Sequence, residues 1–209
     1  MMKRTFSLLL LLLCILAPLR AAPIDTVFAD LPDSLMPLLE RSDRLDLLDL
    51  YNSHMRAEVG NLYGGRSRLE AKSGRYVRLS PSAASTWELV RLPAGADTLS
   101  VVLRTVRTPA ASTRLSAYGS DWSPVSLPFV RPALRDFVGT ADSVTADERE
   151  AVVAKLQPAH VELHWDDAAG QLVATLSTAA LTADDHRTAA AFLHPLIYKW
   201  SDGAFRRQP

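Results

Sequence analysis

The sequence predicts an α+β fold in which N-terminal helices are followed by an antiparallel sheet, and then by a helix, a β-hairpin and a C-terminal helix. Three observations predict it. Apolar residues recur at helical spacing up to about residue 55. Apolar and polar residues then alternate with a period of two between residues 67 and 117. Beyond residue 140, two threonine capping sequences bracket a second alternating stretch. Helices and strands grouped in this way are typical of the α+β class.

Two helices are predicted before the sheet. The first spans Asp30 to Leu39, where Asp30 or Asp33 can cap the N-terminus and two prolines limit the length. The second runs from the N-cap Ser42 to about Met55, with leucines on one face and acidic residues in its first turn.

The region of period two predicts an antiparallel meander of four or five strands. The alternating stretches are 67–71, 76–80, 87–92, 99–106 and 112–117. Turn residues separate the strands at Lys72–Gly74, Pro93–Gly95 and Pro109–Ala110. We expect Trp87, in the third stretch, to be buried in the core.

Two capping sequences frame the C-terminal part. The first, at Thr145–Glu148, opens a helix that ends near Lys155 or Leu156, and a hairpin of residues 160–166 and 171–177 follows. The second, at Thr182–Asp185, opens a C-terminal helix. One apolar face of that helix contains Ala189, Phe192, Leu193, Leu196 and Trp200. We expect residues 23–209 to form one α+β domain, and two helix-plus-sheet halves, 23–120 and 121–209, are possible within it.

Residues 1–22 resemble a secretory signal peptide. Lys3 and Arg4 precede an apolar stretch that is too short to span a bilayer, and small residues follow it. Cleavage after Ala21 or Ala22 would remove Cys14, the single cysteine, and leave a cysteine-free chain. We therefore predict export to the periplasm or the outer cell surface. No transmembrane segment is expected after cleavage, because no second apolar run reaches about 20 residues.

The charge of the chain is unevenly spread. The 23 basic and 23 acidic residues balance, but residues 56–114 carry ten basic and four acidic side chains between acidic ends. A neutral total with 48% hydrophobic residues is typical of a globular chain and disfavours both disorder and nucleic-acid binding.

The basic middle of the chain predicts an anion-attracting surface if several arginines share one sheet face. The candidate ligand-binding residues are Arg66, Arg68, Arg75, Arg78, Arg104 and Arg107, with Trp122 as an aromatic candidate. The ligand would be an anionic glycan or an acidic envelope protein. The competing interpretation is that these arginines pair with the acidic helices of the same molecule.

One strand carries a candidate metal site. His160, Glu162, His164 and Asp166 would share one face, and Val161, Leu163 and Trp165 the other. Imidazole and carboxylate groups bind divalent metals such as zinc. However, alternate residues of a strand lie about 6.6–6.8 Å apart, and a solvent-exposed face of a strand shows the same polar pattern.

Motifs for a nucleotide, a nucleophile elbow or a zinc protease are absent from the sequence, and no cofactor is expected. The favoured interpretation is a non-enzymatic binding or interaction module. One alternative is an unrecognised hydrolase that uses a pair of carboxylates on an envelope or dietary glycan. A second alternative is a metal-binding module built on His160 and His164.

Several segments resemble a known family. They are Asp43–Tyr51, Met55–Gly65, Ser67–Leu69, Ser85–Val90 and Ser120–Trp122. Together they resemble an uncharacterised family of secreted Bacteroidales proteins with a domain of unknown function. The resemblance implies export in a Gram-negative envelope and brings no catalytic residue with it.

Overall fold

The computed structural model describes residues 22–209, so residues 1–21 of the predicted signal peptide lie outside the described residues. The described chain combines helices with two antiparallel sheets, which confirms the α+β class. From residue 22 onward, no helix has both the length and the apolar character needed to cross a membrane.

The N-terminal part contains helix α1 at Ile24–Ala29, a 3₁₀ turn at Asp33–Leu35 and helix α2 at Arg41–Asn52. The predicted helix over residues 30–39 is therefore wrong, because Pro32 and Pro37 leave room for only the short turn between them. The N-cap of helix α2 is Glu40, two residues before the predicted cap Ser42, and the Asp43 carboxylate accepts the Glu40 N–H at 2.9 Å.

A seven-stranded antiparallel sheet follows in the order β1 to β7 along the chain. The strands are β1 Glu58–Gly60, β2 Arg66–Lys72, β3 Tyr76–Ser82, β4 Ser85–Ala94, β5 Asp97–Arg107, β6 Ala111–Tyr118 and β7 Pro124–Val125. The predicted meander corresponds to β2 to β6. The two outer strands were not predicted because three and two residues are too few to show an alternating pattern.

The C-terminal part begins with a 3₁₀ turn at Leu134–Phe137 and then forms a four-stranded sheet in the order β11-β10-β9-β8. Its elements are helix α3 Ala146–Lys155, β8 Val161–Asp166, β9 Gln171–Leu176, helix α4 Ala183–Phe192, β10 Leu196–Ser201 and β11 Ala204–Arg207. Both threonine capping sequences open helices as predicted, because Thr145 and Thr182 accept hydrogen bonds from the third residue that follows each.

The predicted extent of the C-terminal helix is wrong. The helix ends at Phe192, and Leu196 and Trp200 lie in β10. Pro195 cannot continue a helix, and the two-residue turn Asp202–Gly203, with both φ angles positive, closes a hairpin onto β11.

The large sheet is covered on both faces. Trp87 and Leu89 of β4 pack against the N-terminal helices, whereas Val90 and Leu92 pack against the second sheet. Trp87 is 3% exposed, as expected. Successive residues of a strand point to opposite faces, so both rows of β4 enter an apolar core.

Side chains of the large sheet and of the segment that follows it bind the free edge of β8. The Trp165 N–H donates to Glu88 at 2.9 Å, and the Leu163 N–H donates to the Thr113 hydroxyl at 2.9 Å. The Val161 carbonyl accepts from Arg131 at 2.8 Å. These bonds satisfy backbone groups that would otherwise be buried without partners, and they bring Arg131 to the edge of the large sheet.

Candidate anion-binding groove

A groove of about 740 Å³ runs along the outer edge of β6. Strand β7 pairs with β6 only at Ala117 and Tyr118, so the chain leaves the sheet edge after Val125. The segment 125–131 then forms the far wall of the groove. This volume lies within the range of about 300–1,000 Å³ that ligand pockets occupy.

Three arginines and no acidic residue of the described chain line this groove: Arg104, Arg114 and Arg131. Arg104 of β5 lies directly opposite Arg114 of β6 in the strand register. Two of the Arg104 side-chain nitrogens, Nε and Nη2, are buried and have no hydrogen-bond partner. Like charges directly opposite each other destabilise a sheet, so this pair is a local excess of positive charge.

Arg131 adds a third cation that is held in place by backbone carbonyls. Its guanidinium donates to the carbonyl of Thr113 at 2.6 Å and to that of Val161 at 2.8 Å. These acceptors are neutral, so the charge is fixed in position without being compensated. Burial lowers the pKa of Arg131 below its ordinary value, but an arginine keeps its proton under all physiological conditions.

The groove also has apolar walls. Val106 is 52% exposed in β5, and Leu115, Val125, Leu127 and Phe129 line the edge and the far wall. Phe129 is anchored by edge contacts with Tyr198 at 5.4 Å and Phe205 at 5.9 Å between ring centroids. The groove therefore offers positive charge beside an apolar surface.

Five of the six predicted ligand-binding arginines pair with carboxylates of the same molecule. Arg66 pairs with Glu58, Arg68 and Arg78 with Glu70, Arg75 with Asp167, and Arg107 with Glu162. Arg104 differs, since no carboxylate oxygen of the described chain lies within 4.0 Å of it. Hydrogen bonds from Arg56 and Arg66 hold the pKa of Glu58 below its ordinary value.

The carboxylate partners of these five arginines belong to strands or strand turns, not to the acidic helices that the competing interpretation named. A contact of that predicted kind is made by Lys72, whose Nζ lies 2.7 Å from Asp25 of α1. The basic residues thus compensate acids within and between the sheets.

Trp122 lies away from the groove, beside a smaller cavity of about 340 Å³ near helix α1. Its ring packs on Tyr118 at a centroid distance of 5.9 Å, and its φ angle is +63°. The structure does not bring Trp122 together with the candidate arginines.

Three of the four predicted metal-ligating residues lie in β8 and each has a different partner, whereas His160 precedes the strand. His164 Nδ1 lies 2.9 Å from the buried Glu88, Glu162 pairs with Arg107, and Asp166 accepts the N–H of Ala169 at 2.9 Å. Val161, Leu163 and Trp165 are buried on the other face, as predicted. In residues 22–209, no three His, Cys, Asp or Glu side chains are grouped to hold a metal ion.

The sequence pattern did not single out Arg114 and Arg131 as groove residues. Arg114 was one of many basic residues in the middle of the chain, and Arg131 lies in a proline-rich connecting segment. A signal for Arg114 was available, because a hairpin turn at residues 108–110 places Arg104 and Arg114 opposite each other.

Comparison with known proteins identifies a family without an assigned function. The model of the family described as "Protein of unknown function (DUF3256)" matches residues 16–205. A solved structure is also similar, a domain of an uncharacterized protein from Porphyromonas gingivalis W83. Its TM-score is 0.71 at 23% sequence identity, and the match covers 88% of this chain and 98% of that one. At this identity the likeness shows the fold alone.

No curated protein matches the sequence. The family model confirms the resemblance to a family of unknown function, whereas secretion stays a prediction. Since the family model spans most of the sequence, the chain belongs to the DUF3256 family of proteins of unknown function.

Proposed function

We propose that this protein is an exported, non-enzymatic binding module that holds an anionic ligand in the groove along β6. One observation carries the proposal: Arg104 and Arg114 face each other across two strands without a carboxylate. The other five predicted arginines each have one. Because those five arginines are compensated within the molecule, whereas Arg104 and Arg114 are not, this pair is free for an external anion.

The energetics favour a bound anion. Two guanidinium groups in directly opposite positions repel each other by several tenths of a kcal/mol, up to about 1 kcal/mol. The buried, unpartnered nitrogens of Arg104 add the cost of desolvated donors. A carboxylate, sulfate or phosphate group that accepts charge-assisted hydrogen bonds from the accessible guanidinium N–H groups would offset these costs and remove the repulsion.

Export follows from the predicted signal peptide and places the ligand outside the cytoplasm. Candidates there are an acidic envelope protein or an anionic glycan. An arginine groove with apolar walls suits a ligand that has both charge and apolar surface, and the neighbouring segment 125–131 limits its width.

The proposal is tested with dextran sulfate as an anionic probe and neutral dextran as its control, using the protein purified after expression with its own N-terminal segment. We expect dextran sulfate to bind and neutral dextran not to bind. Binding should weaken as salt rises, because salt screens exposed charges. The double variant Arg104→Gln/Arg114→Gln should bind at least tenfold more weakly.

The matched control is Arg66→Gln/Arg68→Gln, which removes the same net charge from residues that are already paired with acids. It should change the affinity by less than twofold. An equal loss in both double variants would indicate a diffuse charge effect and overturn the proposal, as would the absence of any dextran sulfate binding.

A further inference from the structure

We infer that the ligand of the groove is an extended peptide segment of a partner protein, with alternating acidic and apolar residues, that adds as a strand to the free edge of β6. This inference rests on the proposed function and names its ligand class. Three features of the structure support it: the free backbone edge of β6, the alternation of its side chains between the two faces of the sheet, and the positive charge of the groove.

The outward-facing backbone groups of β6 belong to its odd-numbered residues. The Ala111 N–H donates to the Ser177 hydroxyl at 3.1 Å, and the Thr113 carbonyl accepts from Arg131 at 2.6 Å. At the other end, Ala117 pairs with Val125 of β7. Leu115 lies between these two points. Within residues 22–209, no strand pairs with its outward-facing N–H and carbonyl.

An antiparallel strand added here would exchange both backbone hydrogen bonds with Leu115, as directly opposed residues of a hydrogen-bonded pair do. Exposed strand edges recruit strands from other chains in this way. Arg131 and β7 bound the open stretch of residues 114–116, which spans roughly 10 Å of strand. The open edge is therefore a short recognition site for a few peptide residues.

The side chains of β6 define what the peptide must carry. Leu115 packs toward the second sheet, and Arg114 lies on the opposite side of the strand, beside Arg104. Directly opposed residues of antiparallel strands place their side chains on the same face. The peptide residue opposite Leu115 should thus be apolar, and the residue opposite Arg114 should be acidic. Alternation with a period of two follows.

A peptide strand matches the charged and backbone groups of the groove better than an anionic glycan does. Sulfate or carboxylate groups of a glycan could pair with Arg104 and Arg114, but only a peptide strand presents an N–H and a carbonyl to Leu115 at matching spacing. We therefore commit to a peptide, and glycan binding alone becomes an outcome of the test.

The test measures fluorescence anisotropy of a labelled octapeptide of alternating valine and glutamate. Its control has the same composition in two blocks, four valines followed by four glutamates. We expect the alternating peptide to bind at least tenfold more tightly than the block peptide. Arg104→Gln/Arg114→Gln should abolish this preference, whereas Arg66→Gln/Arg68→Gln should preserve it.

Backbone methylation tests the strand itself. If valines face Leu115, N-methylation of the valines removes the N–H groups that donate to β6 and should weaken binding at least tenfold. N-methylation of the glutamates, whose N–H groups point away from β6, should change it by less than threefold. Equal effects of the two methylations, or the reverse order, would overturn the inference.

The two proposals fail in different ways. If dextran sulfate binds through Arg104 and Arg114 but the alternating peptide binds no better than the block peptide, the strand inference is wrong and the anion-binding function stands. If neither probe needs these arginines, both proposals are wrong.

Discussion

Replacing Glu88 should separate the two sheets more than any other single carboxylate substitution at their interface. Glu88 lies in the centre of β4 and is 3% exposed. One oxygen accepts the Trp165 N–H at 2.9 Å, and the other lies 2.9 Å from His164 Nδ1. Burial acts against the charge of Arg78, yet the Glu88 carboxylate contributes to holding the pKa of Arg78 above its ordinary value.

The magnitude follows from these contacts. Glu88→Ala leaves the Trp165 N–H buried without an acceptor and removes the buried carboxylate that faces Arg78 and His164. A buried N–H left without an acceptor costs about 1–3 kcal/mol, and a lost hydrogen bond to a charged group about 1.5–3 kcal/mol. We therefore expect a loss of about 3–5 kcal/mol in the free energy of unfolding. Glu88→Gln keeps a carbonyl oxygen for the Trp165 N–H and should cost less, about 1.5–3 kcal/mol.

The assay is equilibrium unfolding in urea followed by the fluorescence of the four tryptophans, which include the buried Trp87 and Trp165. Glu150→Gln provides the control, because Glu150 is an exposed residue of α3, and surface substitutions of this kind change stability by less than about 0.5 kcal/mol. If Glu88→Ala and Glu150→Gln destabilise the protein equally, Glu88 does not hold β8 to the large sheet.

Three further predictions follow from other contacts. Thr113→Val should lower the free energy of unfolding by about 1–3 kcal/mol, because the buried Leu163 N–H loses its acceptor. Arg114→Gln should leave stability unchanged or raise it by up to about 1 kcal/mol in urea unfolding, because it removes repulsion with Arg104. The third prediction concerns pH. Burial acts to raise the pKa of Glu70, but hydrogen bonds from a serine and an arginine hold that pKa below its ordinary 4.5. A carboxyl group with a lowered folded-state pKa stabilises the fold above its unfolded pKa and loses that contribution as pH falls. The wild-type protein should therefore be more stable than Glu70→Gln at pH 7, with the difference shrinking between about pH 5 and pH 3 in thermal unfolding.

Each of these three has a result that contradicts it. Thr175→Val, at an exposed position of β9, is the control for Thr113→Val. An equal loss of stability in both variants would show that the unpaired Leu163 N–H is not the cause. A clear loss of stability in Arg114→Gln would mean that this arginine is already compensated. A stability difference for Glu70→Gln that stays constant from pH 7 to pH 3 would show that the carboxylate charge is not the stabilising group.

The extent of an element could be predicted from the sequence where local signals agree. The prediction failed where two signals competed. Thr145 and Thr182 open helices because a capping hydrogen bond depends only on residues three positions apart. The end of α4 was mispredicted because Leu196 and Trp200 continue the helical spacing from Phe192. Pro195 was the stronger signal, since it prohibits the helix sterically whereas apolar spacing only permits it.

The second face of β4 could not be predicted from alternation alone. Glu88, Val90 and Leu92 form a mixed row, which is consistent with a partly exposed face. The structure covers that row with the second sheet, and Glu88 becomes a buried acceptor for backbone and histidine. Which face a partner element covers depends on contacts between residues about 75 positions apart in the chain, and no local period carries that information.

The arginine pair of the groove could be predicted from local sequence, although the number of arginines does not identify it. A count treats Arg66 and Arg104 alike, whereas the structure shows that the nearest carboxylate distinguishes them. In an antiparallel hairpin, the turn determines the register, so the turn at residues 108–110 already places Arg104 opposite Arg114. A cross-strand pair of like charges without an acid beside it is unfavourable for folding, and a bound anion would relieve that repulsion. The position of the turn, together with the charges on both of its strands, is therefore a better indicator of the proposed anion site than the total number of basic residues.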